Sequence, residues 1–447
     1  MATSNGFSFT QDALREIAAD VLKSAKGQGA SACDVDVSEG WGHSVSVRQG
    51  EVDTLEYHRD KGISVTVYLG QQRGHASTTD FAPQALRDTV AAAVSIARFT
   101  ASDPAAGLPD PEQLAREPRE LDLFHPWATD VDASIELARR CEASGFSVSE
   151  LVTNSEGASV STQQTQFVSA NSLGFCEGYA TTRHGLGCSM IAGEGDGMQR
   201  DDWYVTRRNA LDLPAPEAIG DYVARRALSR LNARKLNTCE VPVLYEAPLA
   251  AGLLGHFVSA ASGGSLYRRS SFLLDTLGTQ VFSDAVTLLE DPFIPGGLAS
   301  SWFDDEGVAT ARREVVTRGT LNGWFLGSYS ARKLGLKSTG NAGGCHNLIL
   351  QPGKLGLTGL LKKMGRGLFV TELLGHGVNT VTGDYSRGAA GYWVENGEIA
   401  YPVHEITIAG NLRDMFRDIV ACGNDMLVRG SKQCGSVLIG NMTVAGD

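Results

Sequence analysis

Residues 10–26 place Leu14, Ile17, Ala18, Val21, Leu22 and Ala25 on one stripe, the spacing of an amphipathic surface helix. Ser8 and Gln11 stand at capping-box spacing, and Gly27 or Gly29 supplies a stop. From Cys33 the period changes to two. CDVDVSE, HSVSVRQG, EVDTLEYH, GISVTVYLG and RGHASTT each alternate, and Gly or short polar turns separate them. This predicts an antiparallel meander of short strands with one face on helices. Residues 83–98 return to a helix with Pro83 in its first turn.

Prolines 104, 109, 111, 118 and 126 mark residues 101–127 as a connector crossing a surface. A third helix is expected over 130–146, with Asp130 or Asp132 at its cap, then a second meander over 149–208 and a fourth helix over 216–235. Strands that come in runs, with helices between the runs, make an α+β chain rather than a βαβ one. After Thr238 the texture shifts. CEVPVLYEAP reads as a buried strand, LAAGLLGHFVSAASGG as a helix, and GCHNLILQPG, RGLFVTELLGHG, AAGYWVENGEI and QCGSVLIGNMTVAG as Gly-rich strands. LTGLLKKMG and NLRDMFRDIVA are short helices among them. Two domains are therefore expected. Residues 1–238 hold two helix-and-sheet modules, about 1–100 and 128–238, joined by the connector; residues 239–447 are mostly β.

Composition narrows the function classes. The net charge is −12, the pI is about 5.3, and basic residues reach only pairs such as Arg225-Arg226 and Lys362-Lys363. That is not a nucleic-acid footprint. No apolar run is long enough to span a membrane. MATSNGFSFTQDALREI has neither the basic nor the apolar region of an export leader. The eight cysteines, at 33, 141, 176, 188, 239, 345, 422 and 434, form no CxxC pair. Reduced thiols in a cytoplasmic protein are the expectation.

Motif chemistry is sparse. GxxxxGK[ST] and GxSxG are absent. GEGDG at 193–197 lies in a polar turn with no helix after it. His43, His58 and His75 sit on alternating strands and read as surface or half-buried structural groups. Cys345 and His346 are adjacent, so on a strand they face opposite ways and do not chelate one ion. Glu372 and His376 are four apart, but TELLGHG reads as a strand running into a glycine loop, not as a metal-binding helix.

The chain resembles the TldD/PmbA family, and within it the PmbA (TldE) branch. LLGHFVSAASGGSLYRRSSFL, STGNAGGCHNL, EITIAGNLRDMFRDIVACGND and QCGSVLIGNMTVAG carry the resemblance, which runs through essentially the whole chain. The group's older label, modulator of DNA gyrase, draws no support from composition. In the TldD branch this helix carries His-Glu-x-x-x-His, and a later cysteine completes a zinc site for peptide hydrolysis. Carried onto this sequence, the first His falls on Ala251, the Glu on Gly252, the second His on His256 and the cysteine on or near Cys422. A catalytic zinc takes three protein ligands and a water; here one ligand and the general base are gone.

The resemblance thus implies a non-catalytic subunit with no metal of its own. It would pair with a zinc-bearing TldD-type subunit around a chamber for unfolded peptides, and could hold a peptide by strand addition. A slim helix start at Ala251 and Gly252 leaves room for a neighbouring chain. His256 is expected to be a hydrogen-bonded core group. Glu372, His376, Asp384 and Arg387 are candidates for a peptide cleft. Two other readings stay open: a self-sufficient peptidase drawing on Glu372, His376, Asp384 and His404, and a regulatory binding protein without protease function. Self-pairing into a homodimer is open as well.

Overall fold

The computed structural model describes residues 6–446. The first five residues of the stretch read above as no export leader lie outside the described residues. In chain order the N-terminal half comprises α1 (Gln11–Gly27), β1 (Ala32–Arg48), β2 (Glu51–Leu69), β3 (Gln72–Thr78), α2 (Pro83–Phe99), α3 (Val131–Ser147), β4 (Val152–Asn171), β5 (Cys176–Glu177), β6 (Ala180–Ala192), β7 (Gln199–Arg207) and α4 (Pro216–Ser229). The two meanders share one sheet of order β3-β2-β1-β4-β6-β7, with β5 on the flank of β4. The β1–β4 pairing, with Trp41 opposite Gln164, joins them.

Alternation decides which side of this sheet is covered. Val35, Val37, Val45 and Val47 of β1 point one way and are buried under helices, α1 and α2 over one end and α3 and α4 over the other. Asp34, Asp36, Ser44 and Ser46 point the other way. The strands are longer than the pattern predicts: CDVDVSE and HSVSVRQG are one strand, and so are EVDTLEYH and GISVTVYLG. The glycines between them lie inside the ladder. A Cβ on Gly42 would meet the Thr162 carbonyl of β4 at 2.1 Å, so close strand approach, not a turn, requires the glycine. The turn comes at Gln49-Gly50, both left-handed, as a tight hairpin demands.

Three other expectations change. Thr10, not Ser8, caps α1, its hydroxyl accepting from the Ala13 N–H; the Ser8 N–H instead donates to the buried Glu39 carboxylate at 2.6 Å. The fourth helix stops at Ser229, short of 235, because Asn232 is left-handed. The connector does not merely cross a surface. Its Leu114, Ala115, Leu121 and Leu123 pack with Phe175, Trp302 and Phe303, and Arg332 donates to the carbonyls of Ala105 and Gly107 at 3.3 and 3.2 Å. It clasps the two halves together.

The C-terminal half comprises β8 (Cys239–Tyr245), α5 (Ala247–Ala260), α6 (Gly263–Tyr267), β9 (Leu288–Glu290), β10 (Arg313–Thr317), β11 (Thr320–Leu321), α7 (Ser328–Leu334), β12 (Leu348–Leu350), α8 (Leu357–Met364), β13 (Gly367–Leu374), β14 (Asp384–Glu395), β15 (Glu398–Asn411), α9 (Leu412–Arg417), β16 (Ile419–Cys422), β17 (Leu427–Val428), β18 (Lys432–Cys434) and β19 (Val437–Ala445). One sheet runs β11-β10-β9-β12-β18-β17 and the other β15-β14-β13-β8-β19-β16. In the second, β15 also pairs with β19, which closes five strands into a barrel with β16 on its rim. The chain is α+β, as its pattern predicts. Its largest core joins inward residues of both sheets to α5. Among the described residues no helix is long and apolar enough to cross a membrane.

Candidate functional site

Helix α5 starts one residue after β8, a strand inside the closed sheet. Pro248 stands in its first turn, where a missing N–H costs nothing. Ala250, Leu253, Leu254, Phe257 and Ala260 recur at three and four and are buried. The opposite side is slim. Ala251 is half-buried, and Gly252 is exposed with nothing within 4 Å of where its Cβ would be. One residue before His256, a Cβ on Gly255 would touch the aliphatic stem of Lys432 at 3.7 Å.

His256 is half-buried, and among the described residues its ring has no hydrogen-bond partner. The expected hydrogen-bonded core histidine is therefore not what stands here. The ring packs edge-on against Tyr385, centroids 6.1 Å apart. The cause lies on β14, where Tyr385 and Arg387 share a face. Burial first, then the nearby Arg387 guanidinium, hold His256 below the usual imidazole range. Arg387 Nε is buried without a hydrogen-bond partner among the described residues, and its charge acts on Tyr245 and Tyr385 as well as on His256. Sequence reading placed Arg387 in a cleft and did not connect it to His256; only the strand pairing does so.

Cys422 keeps different company. Its Sγ lies 3.9 Å from the Ala285 carbonyl, and burial pushes its thiol up to about 12. Cys434 beside it is pushed up to about 12 as well, and its Sγ lies 3.5 Å from the carbonyl of Ala247, at the start of α5. Protonated buried thiols are poor nucleophiles and poor ligands. The partners of Cys422 and those of His256 do not overlap. Among the described residues no three His, Cys, Asp or Glu side chains gather as a metal-binding group. A zinc implied by the family resemblance does not fit these residues: a lone imidazole faces a guanidinium.

The four cleft candidates do not converge. Glu372 of β13 is paired with Arg230. His376 is exposed in the loop after β13, as the glycines there predict. Asp384 accepts from Thr382 Oγ1 at 2.6 Å and from Asn411 Nδ2 at 3.2 Å, which fixes a turn, and it lies on the face of β14 opposite Arg387. His346 is a core group, 2.9 Å from the Gly340 carbonyl. Sequence reading missed the network at the N-terminus of α5. Arg226 grips Glu246, the N-cap residue, at 2.6 and 3.0 Å, and Asp201 at 3.0 Å; Arg230 binds the other Asp201 oxygen at 3.2 Å. The spacing of Arg226 and Arg230, four apart at the end of α4, puts the two arginines on one face but does not identify their partners.

Three domain models of the PmbA/TldA metallopeptidases match: domain 1 over residues 33–97, the central domain over 124–231 and the C-terminal domain over 238–446. The chain belongs to the PmbA/TldD family. Metalloprotease PmbA of Escherichia coli O157:H7 is 50% identical over 433 residues, covering 97% of this chain and 96% of that protein. A crystal structure from Bacteroides thetaiotaomicron, described there in terms of a DNA gyrase modulator, superposes with a TM-score of 0.92 at 26% identity, over 97% of this chain and 99% of its own. TldE from Thermococcus kodakarensis superposes with a TM-score of 0.85 at 20% identity, over 96% of this chain and 100% of its own, a likeness of fold. The PmbA/TldD domains span both halves, so the family covers the helix α5 and its surroundings.

Proposed function

We propose that this chain is a non-catalytic, TldE-like subunit of a cytoplasmic TldD/TldE-type metallopeptidase acting on unfolded peptides. The observation that carries the reading is the composition of α5. Ala251 and Gly252 stand where the catalytic branch needs a ligand and a base, and Arg387 lies beside the one remaining histidine. A guanidinium next to an imidazole opposes a divalent cation by direct repulsion. With glycine at 252, no side chain at that position moves a proton. The open space over Gly252 suits a backbone brought close to the helix. All eight cysteines are unpaired, in keeping with a reducing compartment. Zinc and the hydrolytic step belong to the TldD-type partner in this reading.

The test is reconstitution. The purified chain alone leaves an unfolded peptide intact, and mixing it with a TldD-type subunit gives cleavage that a chelator abolishes. Cleavage by the lone chain that survives the chelator would overturn the reading.

A further inference from the structure

The alternation that buries valines under the helices sets a second row of side chains on the far face of the N-terminal sheet. Asp34 and Asp36 of β1, Tyr68 of β2 and Arg73 of β3 share that face. The C-terminal half leans over it with Asp305, Glu306 and α7, and the two enclose a cavity of about 820 Å³. That volume falls in the range of small-ligand sites, roughly 300–1,000 Å³. No residue of α5 lines it.

Its charges do not balance. Lys333 Nζ is committed to Asp103 at 2.8 Å. Four further carboxylates, Asp34, Asp36, Asp305 and Glu306, then face the Arg73 guanidinium, which makes no ion pair among the described residues. Burial raises Asp34 to about 7 and also raises Asp36 and Asp305, the behaviour of carboxylates taken out of water. A second observation is independent of the acids. Tyr68 is only 8% exposed, yet its hydroxyl has no hydrogen-bond partner among the described residues. Tyr68 itself lines the cavity, together with Asp34, Arg73 and Glu306, whose charges act on its hydroxyl. The body of Tyr68 is thus packed away while its hydroxyl is left to take a partner from the cavity.

Among the described residues the acids form no group that could hold a metal ion, and an organic cation is the alternative that carboxylates and a phenol oxygen can bind. A shallower groove leads away from the cavity. It shares Glu306 and Tyr329 with it and runs past Phe325 and Gly344 to Val258 and Ser262, at the C-terminal end of α5. We propose that the cavity binds the alkylammonium group of a lysine side chain on an unfolded peptide lying in this groove. Tyr68 Oη accepts from the ammonium, and Asp34 and Asp36 neutralise it. The proposal deepens the peptide-binding reading above and rests on it.

The test is isothermal titration of the full chain, without a partner subunit. The titrants are an acetylated, unstructured peptide with a single lysine, the same peptide with norleucine, and 1,5-diaminopentane. The lysine peptide is expected to bind about tenfold more tightly than the norleucine one, as a charge-assisted contact implies. Asp34→Asn with Asp36→Asn removes that preference, and Tyr68→Phe weakens it. An unchanged circular dichroism melt of each variant excludes misfolding. Equal binding of the two peptides, binding of neither, or a preference that survives the double substitution would overturn the proposal. So would binding of the diamine alone, which would make this a small-amine site. If the lysine preference holds and reconstitution yields no cleavage, the subunit reading falls and the cavity assignment stands.

Discussion

Arg226→Ala destabilises the protein by about 3–5 kcal/mol, the cost of stranding a buried charge. Arg226 is 14% exposed and its bidentate partner Glu246 is 11% exposed. Arg230 still answers Asp201 in the variant, but Glu246 loses its ion pair and has little access to water. Burial raises the Glu246 pKa above its ordinary value even with Arg226 in place. Without the guanidinium it rises further. A group whose folded pKa is raised contributes stability at low pH and loses it as pH rises through that pKa. The penalty of Arg226→Ala is therefore larger at pH 8 than at pH 5, because lowering the pH favours the protonated form of Glu246. Urea titrations at the two pH values measure it. A penalty below about 1 kcal/mol at pH 8, the scale of an exposed pair, would mean that Glu246 finds another partner.

Phe257→Ala costs about 3–5 kcal/mol, the range for an aromatic ring deleted from a packed core. Phe257 is fully buried and directly follows His256. Its ring stands 5.1 Å from Phe282, 6.2 Å from Phe325 and 6.5 Å from Phe416, centroid to centroid. These rings come from different segments, and Phe282 and Phe416 also stack on each other at 4.5 Å, which holds them in place, so little can collapse into the space left behind. Denaturant titration followed by tryptophan fluorescence reads the loss. A midpoint equal to that of the unsubstituted chain would show that α5 is not anchored through this ring.

Much of this was legible in the chain. The period-two runs predict the N-terminal strands and the face they bury, and three-to-four spacing predicts α1, α2, α3 and α5. Strand lengths were misread because Gly40, Gly42 and Gly62 look like turn residues, whereas glycine also permits close strand approach. The departures at Ala251 and Gly252 are visible only beside a family pattern. The role of Arg387 was hidden, because no spacing links residue 387 to residue 256; the barrel closure does. The carboxylate cavity was half legible. CDVDVSE alternates acids against valines, but nothing in it announces that Asp305 and Glu306 lie opposite. The Arg226–Glu246 clamp joins residues 20 apart on a helix and a helix cap, and charge pattern alone does not pair them.

The central claim is that α5 has lost its metal site. Metal analysis of the purified chain after dialysis, at neutral pH and with zinc supplied during expression, tests it most directly. The account predicts zinc far below one equivalent, with no difference between the unsubstituted chain and His256→Ala. One full equivalent of zinc, retained through dialysis and lost in His256→Ala, would contradict it.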